Sequence, residues 1–352
     1  MSHSFWENKK VLVTGHTGFK GSWLSLWLQQ LNAKVIGLSL RPPTTPNLFT
    51  KANVESNMVS IIGDINDYSL IEETLREHEP DIIFHLAAQS LVRHSYAFPI
   101  DTYATNVMGT VHLLEAARKI KSCKSMVCVT TDKCYQNNEW HWGYRENDSL
   151  GGHDPYSSSK ACAELVCSAY RSSFQNTDIP SCGIATARAG NVIGGGDWAK
   201  DRLIPDIISA SYEKKQIIIR NPHALRPWQH VLEPLQGYML LAEQLFDRPD
   251  SFSEAWNFGP DDNDVKPVSW VVETMLNYLD NHATWVFDKA HNPHEATFLK
   301  LDSSKAKNRL DWRPRWELEK ALKETTNWFR AYHAGENMEK ITISQIIDFC
   351  EQ

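Results

Sequence analysis

A glycine-rich segment near the start of the chain limits the possible folds more than any other feature. The segment TGHTGFKG at 14–21 follows a short apolar run and precedes a helix-like stretch. In such a strand, turn and helix, Gly15 supplies a tight turn, Gly18 lets backbone N–H groups approach a pyrophosphate, and Gly21 lets the helix pack closely on the strand. The helix N-terminus then favours negative charge. The segment predicts a dinucleotide site that also includes His16, Phe19 and Lys20.

The first half of the chain alternates short apolar strands with helical segments. This alternation predicts an α/β fold, a Rossmann-type doubly wound parallel sheet with helices on both faces. The predicted strands are 11–13, 34–40, 59–62, 81–87 and 124–130, and the predicted helices are 22–31, 69–79 and 106–119.

The alternation of strands and helices stops at about residue 180, after which loops separate isolated helices and short strands. We expect a dinucleotide-binding domain over 1–180 and a smaller, mainly C-terminal substrate domain over 181–352. The two are expected to be interwoven, with segments near 225–258 returning to the first.

Charge and cysteine content narrow the class of partners. A net charge of −7 without a block of basic residues argues against nucleic acid or an anionic membrane, which leaves small molecules. The seven cysteines show neither a CxxC pair nor paired Cys/His ligand spacing, so we expect no disulfide and no metal site. No apolar run approaches the roughly 18 residues of a membrane span, and no signal core precedes the first strand. We therefore expect a cytoplasmic protein.

The end of the second predicted strand bears on the choice of cofactor. Nicotinamide-binding folds usually place an Asp or Glu here against the adenosine ribose, whereas this chain has Ser39, followed by Arg41. Ser39 could bond a ribose hydroxyl and Arg41 could accept a 2′-phosphate, so the residues leave NAD and NADP open. Asp64, followed by Ile65, comes after the third strand, where a carboxylate can meet the adenine amine or cap a turn.

Tyr156 and Lys160, in YSSSK, lie one helical turn apart and therefore on one face of a helix. An ammonium near the phenol favours phenolate, as would an oxidised nicotinamide ring, and would lower the phenol pKa from about 10 towards neutrality. The phenol could then take a proton from a substrate hydroxyl. A Tyr/Lys pair alone is commonly a surface pair, but behind a glycine loop and the strand end at Thr131 it indicates catalysis.

Four motifs together resemble one enzyme family. They are TGxxGxxG at 14–21, HLAAQ at 85–89, TTDKCY at 130–135 and YSSSK at 156–160. The chain thus resembles the extended short-chain dehydrogenase/reductases that act on nucleotide sugars, and the Thr-Asp-x-x-Tyr element resembles the sugar-nucleotide 4,6-dehydratases among them.

Three further stretches, 15–24, 220–235 and 294–306, resemble the branch of this family that acts on CDP-hexoses. The resemblance implies NAD as cofactor, with Ala87 at its site, and a CDP-hexose as substrate. It also implies a homodimer that pairs through the segments 102–120 and 156–174.

The resemblance implies catalytic roles as well. Tyr156 takes the O4 proton while C4 is oxidised, with Thr131 as hydrogen-bond partner and Lys160 as electrostatic and ribose anchor. Water then leaves from C6, with Asp132 as candidate general acid. Lys133 stands where most 4,6-dehydratases have a glutamate that removes the C5 proton, so it either acts as a neutral amine or has another task.

Asn191 and Arg226 are the expected ligands of the substrate diphosphate, since the forked donors of an arginine suit phosphate oxygens. A 4,6-dehydratase of another nucleotide sugar, or a nucleotide-sugar 4-epimerase, would keep the Tyr/Lys pair. Epimerisation needs no acid at C6, so Asp132 and Lys133 argue against it. A non-catalytic NAD-sensing or scaffold protein would not need the three side chains of the oxidation step.

Overall fold

The computed structural model describes residues 3–174, 182–279, 284–288 and 298–352. Its strands are β1 Lys10–Thr14, β2 Lys34–Ser39, β3 Val59–Ile62, β4 Ile82–His85, β5 Ser125–Val129, β6 Gly183–Ala189, β7 Val192–Ile193, β8 Ile217–Ile219, β9 Leu225–Pro227, β10 Gln229–His230, β11 Ala255–Phe258, β12 Val265–Pro267 and β13 Trp285–Phe287.

The helices alternate with these strands through the first half of the chain. They are α1 His3–Trp6, α2 Phe19–Gln30, α3 Leu48–Lys51, α4 Tyr68–His78, α5 Val92–Ala97, α6 Pro99–Tyr103, α7 Gly109–Ala117, α8 Pro155–Phe174, α9 Leu203–Tyr212, α10 Leu232–Asp247, α11 Pro249–Phe252, α12 Val268–Leu279, α13 Ser304–Arg309, α14 Leu318–His333 and α15 Met338–Cys350. Three short 3₁₀ helices and a π-helical turn complete the set: Val54–Asn57, Asp132–Cys134, Asp262–Asp264 and Ala104–Met108.

Seven strands form one parallel sheet in the order β11-β6-β5-β4-β1-β2-β3. The strand order reverses between β1 and β4, which is the switch point where doubly wound sheets bind ligands beyond the carboxyl ends of their strands. The predicted Rossmann-type α/β class is confirmed. All five predicted strands are present, although the fourth, predicted over 81–87, runs only from Ile82 to His85.

Helices cover both faces of the sheet because its central strands β1, β4 and β5 are buried and largely apolar on both sides. One layer contains α2 and α10, and its core includes Trp23, Trp27 and Leu235. The other contains α4, α7 and α8, with Leu75 and Leu113 buried in its core. The predicted helix 106–119 starts as the π-helical turn and continues as α7.

The sheet draws strands from both sides of residue 180. β6 pairs with β5, and β11 pairs with β6 after the chain returns through α10, which packs on β5 and β6. Shorter ladders join β7 to β10, β8 to β13 and β9 to β12. The division into two domains at residue 180 stays a prediction.

Within the described ranges, no helix is both long enough and apolar enough to span a membrane. Among the same residues, no group of three His, Cys, Asp or Glu side chains is placed to hold a metal ion. All seven cysteines are free thiols. Residues 294–297 of the stretch 294–306 lie outside the described residues.

Candidate active site

One cavity of about 2460 Å³ extends from the glycine turn to the C-terminal half of the chain. Small-molecule pockets usually measure about 300–1,000 Å³, so this volume suits a dinucleotide and a second ligand together. It is lined by all the predicted site residues except His16 and Asp132: Gly15, Gly18, Phe19, Lys20, Gly21, Ser39, Asp64, Ile65, Ala87, Thr131, Lys133, Tyr156, Lys160, Asn191 and Arg226.

The turn between β1 and α2 has a conformation that requires glycine. Gly15 has a φ of 78°, a left-handed value that side chains rarely adopt. A Cβ at this position would lie 2.8 Å from the backbone nitrogen of Ala87, which follows β4. A Cβ at Gly21 would overlap the carbonyl oxygen of Gly15. The turn therefore packs directly against the loop after β4, at the switch point.

The N-terminus of α2 faces the cavity without a side-chain cap. Gly18 is the N-cap residue, and the first bond of the helix runs from the Ser22 N–H to its carbonyl at 2.8 Å. Helix geometry leaves the amides of 19–21 without an intrahelical acceptor. Uncapped amides at the positive end of a helix dipole attract anions, so this turn fits the diphosphate of a dinucleotide.

Ser39 occupies the position where an acid would meet the adenosine ribose. Its hydroxyl lies 2.9 Å from that of Thr17, which donates its own proton to the Leu40 carbonyl at 2.8 Å. Ser39 must then donate to Thr17, so it offers a ribose only acceptor lone pairs. Asp64 is exposed at the same end, and its Oδ1 accepts from the Asn66 amide at 2.9 Å, as in a turn cap.

The side chain of His16 turns away from the cavity. Its ring lies against Gly37, where a Cβ would overlap it, and packs edge-on against Phe49. Its Nε2 lies 2.8 Å from the Ser60 hydroxyl, and burial lowers its pKa to about 4. Any contact of His16 with a cofactor is therefore left to its backbone.

The Tyr156 and Lys160 side chains project from one face of α8 onto the end of β5. Tyr156 lies beside Thr131, and the Lys160 ammonium donates to the Val129 carbonyl at 3.1 Å. Burial raises the pKa of Tyr156 to about 12, and the nearby Thr131 hydroxyl acts in the opposite direction. Burial lowers the pKa of Lys160 to about 8. The ammonium is thus directed to the strand end rather than to the phenol.

Asp132 and Lys133 follow Thr131 in the 3₁₀ turn after β5. The Asp132 carboxylate is buried, accepts from the Thr131 hydroxyl at 3.0 Å and lies 3.7 Å from the Lys133 ammonium. Its second oxygen, Oδ2, is buried near Gly190 and has no hydrogen-bond partner among the described residues. An acceptor left in this state suits a bound ligand hydroxyl, because an unpaired buried oxygen is costly.

Lys20 extends to the same end of the cavity. Its ammonium lies 5.9 Å from the centre of the Tyr238 ring. Burial lowers its pKa to about 7, with the positive charges of Arg202 and Lys160 acting in the same direction. The glycine turn thus adds a third lysine to those of the two catalytic motifs.

The predicted diphosphate ligands come from later segments. The Asn191 side-chain oxygen is buried with no hydrogen-bond partner among the described residues. Arg226 lies on β9, where Lys266 of β12 pairs with it, and its guanidinium lines the cavity. The buried Trp228 lines the same wall.

Three further arginines line this part of the cavity and were not predicted from the sequence. Arg202 donates to Asp197 at 2.8 Å and to Ser90 at 3.0 Å, while Arg93 and Arg220 reach the cavity from α5 and from the end of β8. No local motif marks them, because the segments that carry them meet only in the folded chain. We call these three arginines and Arg226 the cationic wall: guanidinium groups suit phosphate oxygens, and here Arg202 is paired with Asp197 and Arg93 with Asp201.

The family model described as GDP-mannose 4,6 dehydratase matches residues 12–325. The chain belongs to this family. Over 349 residues, 98% of this chain and 97% of the relative, it is 52% identical to a protein of Salmonella typhimurium named CDP-glucose 4,6-dehydratase. A dTDP-glucose 4,6-dehydratase of Xanthomonas campestris is 26% identical, with 90% of this chain and 92% of the relative covered.

Solved structures show the same fold. The dTDP-glucose 4,6-dehydratase of Bacillus anthracis, determined in complex with NAD, superposes with a TM-score of 0.77 at 26% identity and covers 94% of this chain and 99% of its own. The UDP-glucose 4-epimerase of Thermotoga maritima reaches a TM-score of 0.79 at 22% identity, covering 92% and 99%. The epimerase likeness extends to the fold alone.

Proposed function

We propose that this chain is an NAD-dependent dehydratase that converts CDP-D-glucose to CDP-4-keto-6-deoxy-D-glucose and water. The observation that carries the proposal is the 52% identity to the Salmonella enzyme over almost the whole of both chains. The cavity that Tyr156, Lys160, Thr131 and Lys133 line together supports it. The product is an early intermediate for deoxy and dideoxy sugars of surface polysaccharides such as O-antigen.

NAD fits the residues that are present. The uncapped amides at 19–21 would hold its diphosphate, Ser39 and Asp64 would face the adenosine, and Lys160 would anchor the second ribose. Bound NAD would supply an oxidant at C4 and a reductant at C6, so that the cycle is redox-neutral. The solved dTDP-glucose 4,6-dehydratase of Bacillus anthracis, which is in complex with NAD, supports this assignment.

Tyr156 is the proposed base for the O4 proton. The neutral phenol can donate a hydrogen bond to the Thr131 hydroxyl, which itself donates to Asp132 at 3.0 Å. When the phenol ionises, Thr131 must turn to donate to it. The raised pKa of the substrate-free phenol means that binding must lower it before the base can act.

Asp132 and Lys133 are the proposed elimination pair. The Lys133 ammonium lies 3.7 Å from the Asp132 carboxylate, and transfer of one proton between them would give a neutral amine and a carboxylic acid. The neutral amine of Lys133 would then take the C5 proton, and the acid of Asp132, which must reach the cavity from its buried position, would give its proton to the C6 hydroxyl as it leaves as water. This pair favours a dehydratase over a 4-epimerase, which has no water to expel.

Asn191 and Arg226 would bind the substrate diphosphate, helped by the cationic wall. A homodimer is proposed through the segments 102–120 and 156–174, because both expose apolar side chains. They are Tyr103, Met108 and Leu165. We also propose a cytoplasmic location, where nucleotide sugars are made, and a division into a cofactor domain and a substrate domain near residue 180.

The test is to mix the protein and NAD with CDP-, dTDP-, GDP- and UDP-glucose separately and to analyse the products by mass spectrometry. We expect loss of one water from CDP-glucose. Loss of water from another donor only would change the nucleotide. Conversion of a glucose donor to its galactose isomer without loss of water would identify an epimerase.

A further inference from the structure

One helical turn after Lys160, α8 carries a third polar side chain on the same face as Tyr156 and Lys160. Tyr156, Lys160 and Glu164 are spaced by four residues each, and each contacts the end of β5. Tyr156 meets Thr131, Lys160 meets the Val129 carbonyl, and Glu164 Oε1 accepts from the Thr130 hydroxyl at 2.5 Å. Three successive helical turns are thus joined to three successive residues of one strand end.

Glu164 is buried, and both of its carboxylate oxygens accept hydrogen bonds. Its Oε2 accepts from Thr186 at 2.7 Å and from Arg188 at 2.7 Å, and Oε1 also accepts from Arg188 at 2.9 Å. Both of these partners lie on β6. Among these hydrogen bonds, the one from the Thr130 hydroxyl is therefore the link between this carboxylate and the end of β5.

We propose that Glu164 is a positioning residue that sets α8 against the end of β5 through Thr130, and thereby sets the Tyr156–Thr131 contact. The inference rests on the proposed function for its kinetic consequence but not for its geometry. If the Thr130 link is lost, Arg188 and Thr186 still hold the helix to β6. Of the contacts described above, only the Lys160 bond to the Val129 carbonyl then holds the catalytic face to β5, so this face can shift relative to Thr131 while the sheet and the ion pair persist.

Two threonines provide a matched pair of variants. Thr130→Val and Thr186→Val each remove one buried hydroxyl from the same carboxylate, and valine keeps the shape of the side chain and suits a strand. Thr130 precedes Thr131 in the chain, whereas Thr186 has no place in the catalytic machinery. A purely structural role for Glu164 predicts the same outcome from both.

We expect both variants to lower Tm by a similar few degrees, with kcat falling only in Thr130→Val. That fall should be about 10- to 100-fold with little change in KM, because small misplacements of reacting groups have effects of this size. Thr130→Ser, which retains the hydroxyl, should recover most of the activity. Equal losses of kcat in the two valine variants, or none in either, would overturn the inference.

The pH profile gives a second readout. The Thr131 hydroxyl beside the phenol favours its ionised form, so moving the two apart should shift the rise of kcat to higher pH in Thr130→Val and leave it in place in Thr186→Val. The other ionisable groups around the phenol are unchanged in both: Lys160, Asp132, Asp154, Arg202 and Tyr238.

Crystal structures of the two variants test the geometry without any substrate. In Thr130→Val, the Tyr156 and Thr131 hydroxyls should lie beyond hydrogen-bond distance, and in Thr186→Val they should stay in contact. An intact contact in Thr130→Val would refute the positioning role, whatever the wild-type protein does with CDP-glucose. Absence of turnover by the wild type with every donor would refute the proposed function instead.

Discussion

Replacing Tyr156 by Phe removes the proposed base and keeps the ring. The structure allows the side effects of this change to be worked out. The phenol lies beside Thr131, whose hydroxyl keeps its 3.0 Å bond to Asp132 when the phenol oxygen is removed. No buried donor is then left without an acceptor, so the free energy of unfolding should fall by only about 1 kcal/mol.

The catalytic effect should be much larger than the effect on stability. A positioned general base contributes roughly 10²- to 10⁴-fold to a rate, which corresponds to about 3–5 kcal/mol of transition-state stabilisation. We therefore expect kcat for CDP-glucose to fall by that factor, with KM nearly unchanged because the phenol is not a diphosphate ligand.

The assay is steady-state turnover together with thermal unfolding of the wild type and the variant. Tyr170→Phe is the control, since Tyr170 lies on the same helix, does not line the cavity and bonds Glu115 at 3.4 Å. Near wild-type turnover in Tyr156→Phe would remove Tyr156 from the mechanism. An equal loss in Tyr170→Phe would show that helix stability, rather than the base, was measured.

Three further predictions concern elimination, cofactor binding and acid stability. Lys133→Met should allow C4 oxidation but block loss of water, so the absorbance of reduced nicotinamide should appear on mixing with substrate without product; absence of that signal would place Lys133 in binding or oxidation. Ser39→Asp should lower the Kd for NAD measured by calorimetry, since the two oxygens of a carboxylate can accept from both ribose hydroxyls, whereas Ser39 has a single neutral oxygen. An unchanged Kd, or equal turnover with NADP, would contradict this account of the site. Burial lowers the pKa of His16 to about 4, whereas in the unfolded chain the ring is protonated near pH 6.5. The free energy of unfolding, measured in urea, should therefore fall as the pH drops from about 6.5 towards 4. A free energy that is constant over this range would contradict the burial of the ring.

The strands of the first half could be predicted because each is a short apolar run between turn signals. β6 could not be assigned to the same sheet in this way, and β11 was expected there only as part of the returning segments near 225–258. β6 has the sequence GIATARA, with neither an apolar run nor a clean alternation, and it joins the sheet through pairing with β5, more than fifty residues earlier in the chain. Such long-range pairing has no local signature.

The residues of the candidate site also fall into those that a local motif predicts and those that only the fold brings to the cavity. Tyr156, Lys160 and Thr131 lie in local motifs, and helical spacing was enough to place the first two on one face. Spacing did not reveal where the Lys160 ammonium points, because that depends on the Val129 carbonyl of another element. Arg202 had no local signal at all, since it reaches the cavity only when the segment before α9 folds against it.

Transfer of an isotopic label within the substrate tests the central claim most directly. CDP-glucose deuterated at C4 should yield CDP-4-keto-6-deoxyglucose with the deuterium at C6 and a solvent hydrogen at C5, without a stoichiometric requirement for added NAD. The residues of both steps, Tyr156 with Thr131 and Asp132 with Lys133, would then act in a single closed cycle. Product without the label, together with free NADH equal in amount to the product, would contradict the account and indicate a simple dehydrogenase.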